Sequence, residues 1–276
     1  MLLMLKLLAT SLLLGSFLYA NTSDDIEDFL SSKFSKNPQL KSIDIDVDSR
    51  LPLKDLQGWD AYIVNVKAVL KAKPKQEIIQ KMVWFSNGDV ITKELTDMHS
   101  GSSYTDLVKP DFKSKYYKKE NLIYGNANAR HKIAIFSDPL CPFCKAFVPN
   151  ALKEMKKEPK RYAVYYYHLP LERIHPASVP LVRIAQAAQE QGVKDVILKM
   201  YAIKLNPHEK NINVILAAFN KAVGANIKAS DIQTKEVQAQ IKFDADVAND
   251  LMVAGTPTIY VDGKMDRTKN KYKKAQ

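Results

Sequence analysis

The sequence predicts an α+β chain of two domains: a small α+β domain followed by a larger α/β domain with a long helical insertion. Three observations predict it. A helical pattern and then period-two apolar runs precede residue 100, β-prone apolar runs return after residue 121, and helical spacing dominates from about residue 175 until a last β-prone run near the C-terminus. The chain has 276 residues, of which 46% are hydrophobic, and this length favours two domains over one.

Residues 1–20 have the pattern of a secretory signal peptide. Lys6 precedes an apolar run, and the small residue Ala20 precedes a polar stretch. An N-terminal membrane anchor is the alternative, although the apolar run is shorter than the roughly 20 residues that span a bilayer. Export is therefore the expectation.

The N-terminal domain is predicted over residues 21–100. A helix is expected to begin at Ser23, with an acidic first turn, and to end before Asn37-Pro38. Alternating apolar and polar residues then predict half-buried strands, and an Asn-Gly pair at residues 87–88 predicts a tight hairpin in which both residues supply positive φ angles.

Residues 101–121 are predicted to connect the domains as a partly helical segment, and residues 122–276 to form the second domain. A strand at 122–124 and a buried strand at 133–136 are expected first, then a helix from Pro142 and a β-prone run at 162–167. Helical spacing marks an insertion at about 175–250, before a last strand at 257–261.

The only two cysteines of the chain lie in the sequence Cys141-Pro142-Phe143-Cys144, directly after a predicted strand and at the start of a predicted helix. The free amide groups and the dipole at a helix N-terminus favour a thiolate, which is the form that attacks a disulfide. Cys141 is therefore the predicted nucleophile. Cys144, one helical turn later, is the predicted resolving thiol.

Two other interpretations of the dithiol remain open. A structural disulfide is possible in an exported protein, although so short a loop restricts the unfolded chain little. A zinc site would need ligands from a second chain, because the five histidines show no paired ligand spacing. No metal and no cofactor are expected; the redox group is the Cys141–Cys144 pair itself.

The stretch FSDPLCPFCK at residues 136–145 resembles the active-site strand and helix of the DsbC/DsbG disulfide isomerases, and the DsbG branch most closely. The sequence GTPT at residues 255–258 is similar to the cis-proline loop of that family, with Thr256 where DsbA-type oxidases generally carry Val. Ile135 stands where thioredoxins and DsbA-like proteins place a buried acid, which again resembles DsbC and DsbG.

This resemblance implies a thioredoxin fold preceded by a small, cystatin-like dimerisation domain and a linker helix, in a periplasmic homodimer. It implies that Pro257 is cis and that the Thr256 backbone pairs with an extended substrate segment. Pro142 and Phe143, between the two thiols, are candidates for tuning the redox properties. The 113 positions between Cys144 and Pro257 leave room for a large insertion, as in a DsbA-like domain.

The predicted function is thiol-disulfide exchange with exported proteins that contain cysteines, in the sense of an isomerase or proofreading enzyme. The first alternative is a DsbA-type oxidase that introduces disulfides, and the second is a chaperone with secondary redox activity. The expected membrane partner is a DsbD-like reductase for the isomerase and a DsbB-like oxidase for the DsbA-type enzyme. The direction of electron transfer depends on the reduction potential of the dithiol and on its redox partners.

The formal charge of +11 would be compatible with nucleic-acid binding. Exported proteins rarely encounter nucleic acid, however, so no such partner is expected. Trp59 and Trp84 are interpreted as core or interface aromatics. His168 and His175 follow a predicted strand and are interpreted as ordinary histidines without a role in the site. Lys145 follows the dithiol and is left unassigned.

Overall fold

A computed structural model describes residues 22–275, so the predicted signal peptide lies outside the described residues. The chain divides into two units, the first ending at Val108 and the second beginning at Lys109. This division falls within the segment 101–121 that the sequence predicts as the connection. Each unit has its own sheet.

The first unit is an antiparallel sheet of four strands with one helix packed on it. Helix α1 begins with a capping box, in which Thr22 and Asp25 satisfy each other's backbone amides, and its buried residues Ile26 and Leu30 pack against Trp84 and its neighbours on the sheet. The strands follow in spatial order as β1 to β4. The elements are α1 (Ser23–Ser35), β1 (Leu40–Pro52), β2 (Asp60–Leu70), β3 (Lys73–Ser86) and β4 (Ile91–Thr92).

The predicted hairpin joins β3 to β4, where Phe85 pairs with Thr92. One detail of the prediction is wrong: Gly88 has a positive φ of 100°, whereas Asn87 does not. The Asn87 side chain instead accepts hydrogen bonds from the amides of Asp89 and Val90. Such an Asx turn lets one glycine suffice where a two-residue turn would need positive φ at both positions.

The segment 101–121 is partly helical, but the linker helix implied by the family resemblance is not formed. It contains helix α2 (Tyr104–Leu107) and two 3-10 turns, Ser114–Tyr116 and Lys119–Asn121. Pro110 disfavours helical backbone at the residue before it and donates no amide hydrogen, which interrupts any longer helix.

The second unit contains a mixed sheet of five strands in the order β5-β7-β6-β8-β9. Strands β6 and β7 are parallel, and the other neighbours are antiparallel. The strands are β5 (Leu122–Tyr124), β6 (His131–Ser137), β7 (Tyr162–His168), β8 (Thr258–Val261) and β9 (Lys264–Met265). Helix α3 (Pro142–Lys156) connects β6 to β7, as a parallel pair requires.

Both faces of this sheet are buried, because alternate residues of its central strands belong to two different clusters. Ile133 and Ile135 of β6 lie in a core shared with α3 and the insertion. Ala134 and Phe136 lie in an aromatic cluster on the other face, together with Phe112. The dithiol helix therefore lies on the same side of the sheet as most of the insertion.

The helical insertion lies between β7 and β8, as the sequence predicts. It contains four helices and a 3-10 turn at Asp231–Gln233, and a short last helix follows β9. The helices are α4 (Ser178–Glu190), α5 (Val196–Met200), α6 (Ile212–Val223), α7 (Lys235–Asp250) and, at the C-terminus, α8 (Lys271–Lys274). Among residues 22–275, no helix is long and apolar enough to cross a membrane.

Candidate active site

Cys141 is the N-cap residue of α3. Its backbone is extended, with φ −64° and ψ 124°, and Pro142 takes the first helical position. Proline suits that position because its ring fixes a helical φ and its missing amide hydrogen leaves no intrahelical bond unmade. The local sequence therefore places Cys141 in the positive field of the helix end, as predicted.

Both cysteines are buried, although not to the same degree. The Cys141 residue retains 4% of its surface exposed and Cys144 none, whereas Phe143 between them is 75% exposed. Both cysteines are free thiols in this structure. Of the two cysteines, only Cys141 retains any exposed surface, which supports Cys141 as the thiol that an external disulfide meets first.

The loop before β8 lies against Cys141. The Thr256–Pro257 peptide bond is cis, as the resemblance implied. The Cys141 thiol donates a hydrogen bond to the Thr256 carbonyl oxygen, with a sulfur–oxygen distance of 3.8 Å. The structure thus brings all the predicted site residues together: the dithiol with Pro142 and Phe143 at the start of α3, and Thr256 and Pro257 opposite it.

Burial raises the pKa of the Cys144 thiol well above its usual value. The neighbouring hydroxyls of Ser137 and Thr256 and the backbone amide of Asp138 act in the opposite direction and lower that pKa. Ser137 is the last residue of β6 and is itself fully buried. The Cys144 thiol is therefore protonated near neutral pH, and these polar groups are the ones that favour its thiolate.

Behind Ser137 runs a chain of buried hydroxyls that the sequence analysis missed. The Ser137 and Tyr201 hydroxyl oxygens are 2.6 Å apart, and those of Tyr201 and Tyr166 are 2.8 Å apart. Burial raises the pKa of both tyrosines, so each keeps its proton and can donate a hydrogen bond. Tyr201 lies just after α5, so the insertion contributes directly to the surroundings of the dithiol.

The sequence analysis also missed Asp138, a fully buried carboxylate three residues before Cys141. It accepts a hydrogen bond from the Cys141 amide at 3.2 Å, and its other oxygen lies 3.1 Å from Nδ1 of His175. His175 was interpreted as an ordinary histidine, whereas the structure connects it to the start of the dithiol turn. The signal available in the sequence was the acid within the quoted stretch FSDPLCPFCK.

Three further residues complete the surroundings of the site. Ile135 is fully buried and pairs in register with Ile259. The Lys145 ammonium donates to the carbonyl of Ile203 at 3.2 Å, and burial lowers its pKa. The ring of His168 is fully buried, and desolvation lowers its pKa to about 4. The part of the chain that the structure describes contains no group of three or more metal-ligating side chains.

The sequence of residues 118–276 matches the family model described as "Thioredoxin". Among solved structures, a thioredoxin-like oxidoreductase from Silicibacter pomeroyi DSS-3 is similar, with a TM-score of 0.50 and 20% identity over 58% of this chain and 92% of its own. This likeness shows the fold. The thiol-disulfide exchange protein alpha-DsbA2 from Wolbachia pipientis reaches a TM-score of 0.48, with 20% identity over 59% of this chain and 89% of its own. At that level the similarity carries no functional conclusion.

Among curated proteins, the chain is similar to Na(+)/H(+) antiporter NhaA 1 from Mycolicibacterium gilvum (strain PYR-GCK). The two are 26% identical over 153 residues, which are 52% of this chain and 24% of the antiporter. The chain thus spans about a quarter of the length of the curated relatives it matches.

Proposed function

The chain belongs to the thioredoxin family, whose model matches residues 118–276, and on that premise we propose that it is an exported thiol-disulfide oxidoreductase. The observation that carries this proposal is the placement of the two thiols. Cys141 caps α3 beside the cis Pro257 loop, and Cys144 lies fully buried one turn behind it. The substrates are exported proteins with cysteines.

The exchange follows from this geometry. The Cys141 thiolate attacks one sulfur of a substrate disulfide, that disulfide breaks, and the departing substrate thiolate takes up a proton. Cys144 then loses its proton and attacks the Cys141 sulfur, which releases the second substrate thiol and leaves a Cys141–Cys144 disulfide. Two electrons pass from the enzyme dithiol to the substrate, and the reverse sequence oxidises a substrate.

In the isomerase sense, a substrate thiol resolves the mixed disulfide in place of Cys144, and no net electron transfer occurs. Thr256 before Pro257 and the apolar Ile135 support this sense, as the resemblance to DsbC and DsbG implies. Periplasmic location and a membrane reductase of DsbD type belong to the same proposal. A substrate segment would then pair with the Thr256 backbone. Pro142 and Phe143 would tune the redox properties of the Cys141–Cys144 dithiol.

The oxidase sense is the second candidate. The observation that favours it is the insertion of four helices between β7 and β8, since a DsbA-like domain has such an insertion. In that case a DsbB-like membrane protein would reoxidise the pair. A chaperone activity, with redox chemistry secondary, is the third possibility and would survive replacement of both cysteines.

The proposal includes a homodimer formed through the first unit. Strand β1 pairs with β2 alone within the described residues, and although its Val47 amide donates to the Glu27 side chain, the rest of its outer edge supports pairing with a second copy. Light scattering on the purified protein tests this directly. We expect twice the mass of the exported chain, and a monomer at micromolar concentration would contradict it.

Trapping of a mixed disulfide tests the activity itself. In the variant Cys144→Ser, Cys141 should form a stable covalent adduct with a substrate disulfide, because the resolving thiol is absent. The matched variant Cys141→Ser should trap nothing, since Cys144 is buried. Trapping by both variants, or by neither, would contradict the assigned roles.

Two measurements establish in which direction the enzyme transfers electrons. The first is the equilibrium constant between the Cys141/Cys144 pair and glutathione. The second is the redox state of this pair in cells, determined by thiol trapping. A pair found mainly reduced supports the isomerase or reductase sense. A pair found mainly oxidised supports the oxidase.

A further inference from the structure

Asp138 is a fully buried carboxylate that gathers the segments around the nucleophile. Five groups lie within hydrogen-bonding distance of its two oxygens, and they come from the turn before α3, the loop after β7 and the start of α4. They are the amides of Leu140 at 2.7 Å, Cys141 at 3.2 Å and Leu171 at 2.7 Å, the hydroxyl of Ser178 at 2.7 Å, and Nδ1 of His175 at 3.1 Å.

A carboxylate without solvent is costly unless hydrogen bonds and an opposite charge compensate it. The amides of Leu140 and Cys141 bond to the same oxygen of Asp138, so the carboxylate fixes the backbone that places the Cys141 sulfur. His175 is the one titratable group that bonds directly to the other oxygen, and its side chain is 11% exposed.

The other charged or titratable groups that face Asp138 are not bonded to its carboxylate, and two of them bond to other partners. The Lys145 ammonium on α3 interacts with the Asp138 charge but bonds to the Ile203 carbonyl. Tyr166 on β7 keeps its proton and bonds to Tyr201, and the buried Cys144 thiol completes the set. Among these groups, His175 alone has a side chain bonded to the carboxylate.

We propose that Asp138 and His175 form a positioning pair for Cys141: the carboxylate holds the nucleophile's backbone, and the imidazole Nδ1, bonded to the carboxylate's other oxygen, offsets its charge beside the sulfur. This inference rests on the proposed function and deepens it. Neither residue reacts with the substrate. Both act through Cys141, by setting the pH at which its thiolate forms.

Opposite effects of the two partners follow from this arrangement. A fixed negative charge near a thiol opposes its ionisation, and a side chain that donates a hydrogen bond to that charge weakens the opposition. Replacing Asp138 by Asn removes the negative charge, so the thiolate should form at lower pH. Replacing His175 by Gln leaves the carboxylate uncompensated, so the thiolate should form at higher pH.

The test is the pH profile of iodoacetamide alkylation of Cys141, measured on the full chain in the Cys144→Ser background. Asp138→Asn should move the midpoint down and His175→Gln should move it up, each by about one pH unit, or about tenfold in rate at a fixed pH below the midpoint. Asp246→Asn and His208→Gln, both at exposed positions, are the matched controls and should leave the midpoint in place.

A loss of structural support alone would move both variants in the same direction or neither, and either result overturns the proposal. If Asp138→Asn does not fold, as judged by circular dichroism, His175→Gln decides: an unchanged or lower midpoint overturns the pairing. Failure of the proposed function is seen separately, because the wild-type chain would then exchange no disulfide with glutathione.

Discussion

At the scale of single residues, the surroundings of Cys144 decide how fast a mixed disulfide is resolved. Its thiol must lose a proton in a site where burial raises its pKa, and the Ser137 hydroxyl is one of two that lower this pKa. A hydrogen bond to a charged group contributes about 1.5–3 kcal/mol. The Ser137 hydroxyl therefore lowers the free-energy cost of forming the Cys144 thiolate.

We predict that Ser137→Ala slows resolution of the mixed disulfide by roughly tenfold or more, because the Cys144 thiolate loses a donor. The measurement is the decay of a preformed mixed disulfide between Cys141 and a peptide. The exposed Ser230 provides a control, Ser230→Ala, that should decay as the wild type does. Equal rates for the two variants would refute the role of the hydroxyl.

His168 and Asp244 predict opposite pH dependences of stability. Desolvation lowers the pKa of His168 to about 4, so its contribution is complete above pH 6.5 and is lost as the pH falls towards 4. Desolvation raises the pKa of Asp244 to about 7, so its contribution is complete below its usual value of 3.8 and is lost as the pH rises towards 7. Between these limits the two effects oppose each other.

We predict that His168→Phe removes the loss of stability that His168 causes at acidic pH. Relative to the wild type, the variant should gain roughly 3 kcal/mol in unfolding free energy between pH 7.5 and pH 4. Urea unfolding at the two pH values measures this, with the exposed His208→Phe as control. Parallel pH dependences for wild type and variant would show that His168 is not held neutral by burial.

The sequence identifies the site residues that belong to a recognisable motif and misses those whose role appears only in the folded chain. Cys141 and Cys144 form a local motif, and Pro257 is found through its resemblance to a known loop. Tyr201 lies 64 positions from Ser137, and no local pattern links them. His175 was interpreted as an ordinary histidine for the same reason, since only the folded chain brings it to Asp138.

At the scale of elements, the turn between β5 and β6 depends on Gly125, which has a positive φ of 80°. A Cβ atom at this position would lie 1.8 Å from the carbonyl oxygen of Tyr162, at the start of β7. Gly192 has a nearly equal φ of 78° but open space around its Cα. Substituting alanine at Gly192 therefore measures only the cost of a positive φ, whereas the same change at Gly125 adds the cost of a steric clash.

We predict that Gly125→Ala destabilises the second unit by more than about 3 kcal/mol, whereas Gly192→Ala costs about 1 kcal/mol. The difference arises because the first change forces backbone atoms of two strands apart. Chemical denaturation of both variants measures it. Equal losses of stability would mean that the turn moves freely away from β7.

Periodicity predicts the strands and helices well because each buried face repeats within the element. It fails between residues 101 and 121, where tertiary packing decides the structure. Phe112 lies 5.4 Å from Tyr167 and 5.6 Å from Tyr260, measured between ring centroids. An aromatic residue that anchors a loop in a cluster carries no periodic signal, so the sequence pattern of this segment is that of a linker.

At the scale of the whole molecule, charge is divided unevenly. From Lys109 onward the chain has 29 lysines and arginines and 16 acidic residues, a formal charge of +13, whereas residues 22–108 carry a formal charge of −3. Positive charge on the domain that holds the dithiol should favour encounter with acidic substrates.

We predict that an acidic disulfide peptide reacts with Cys141 about tenfold faster than a basic peptide of equal length at low ionic strength. The ratio should approach one as salt is raised to about 0.3 M, where charges are screened over a few ångströms. Stopped-flow rates for the two peptides measure it. A ratio that is independent of salt would exclude long-range attraction.

Both tryptophans of the chain, Trp59 and Trp84, lie in the first unit, while ten of its thirteen tyrosines lie from Tyr116 onward. Trp84 is buried in the core beneath α1. Fluorescence excited at wavelengths that only indole absorbs will therefore report unfolding of the first unit alone. The dithiol domain will contribute no signal to this measurement. A single experiment can thus assign a melting transition to one unit, without labels and without cutting the chain.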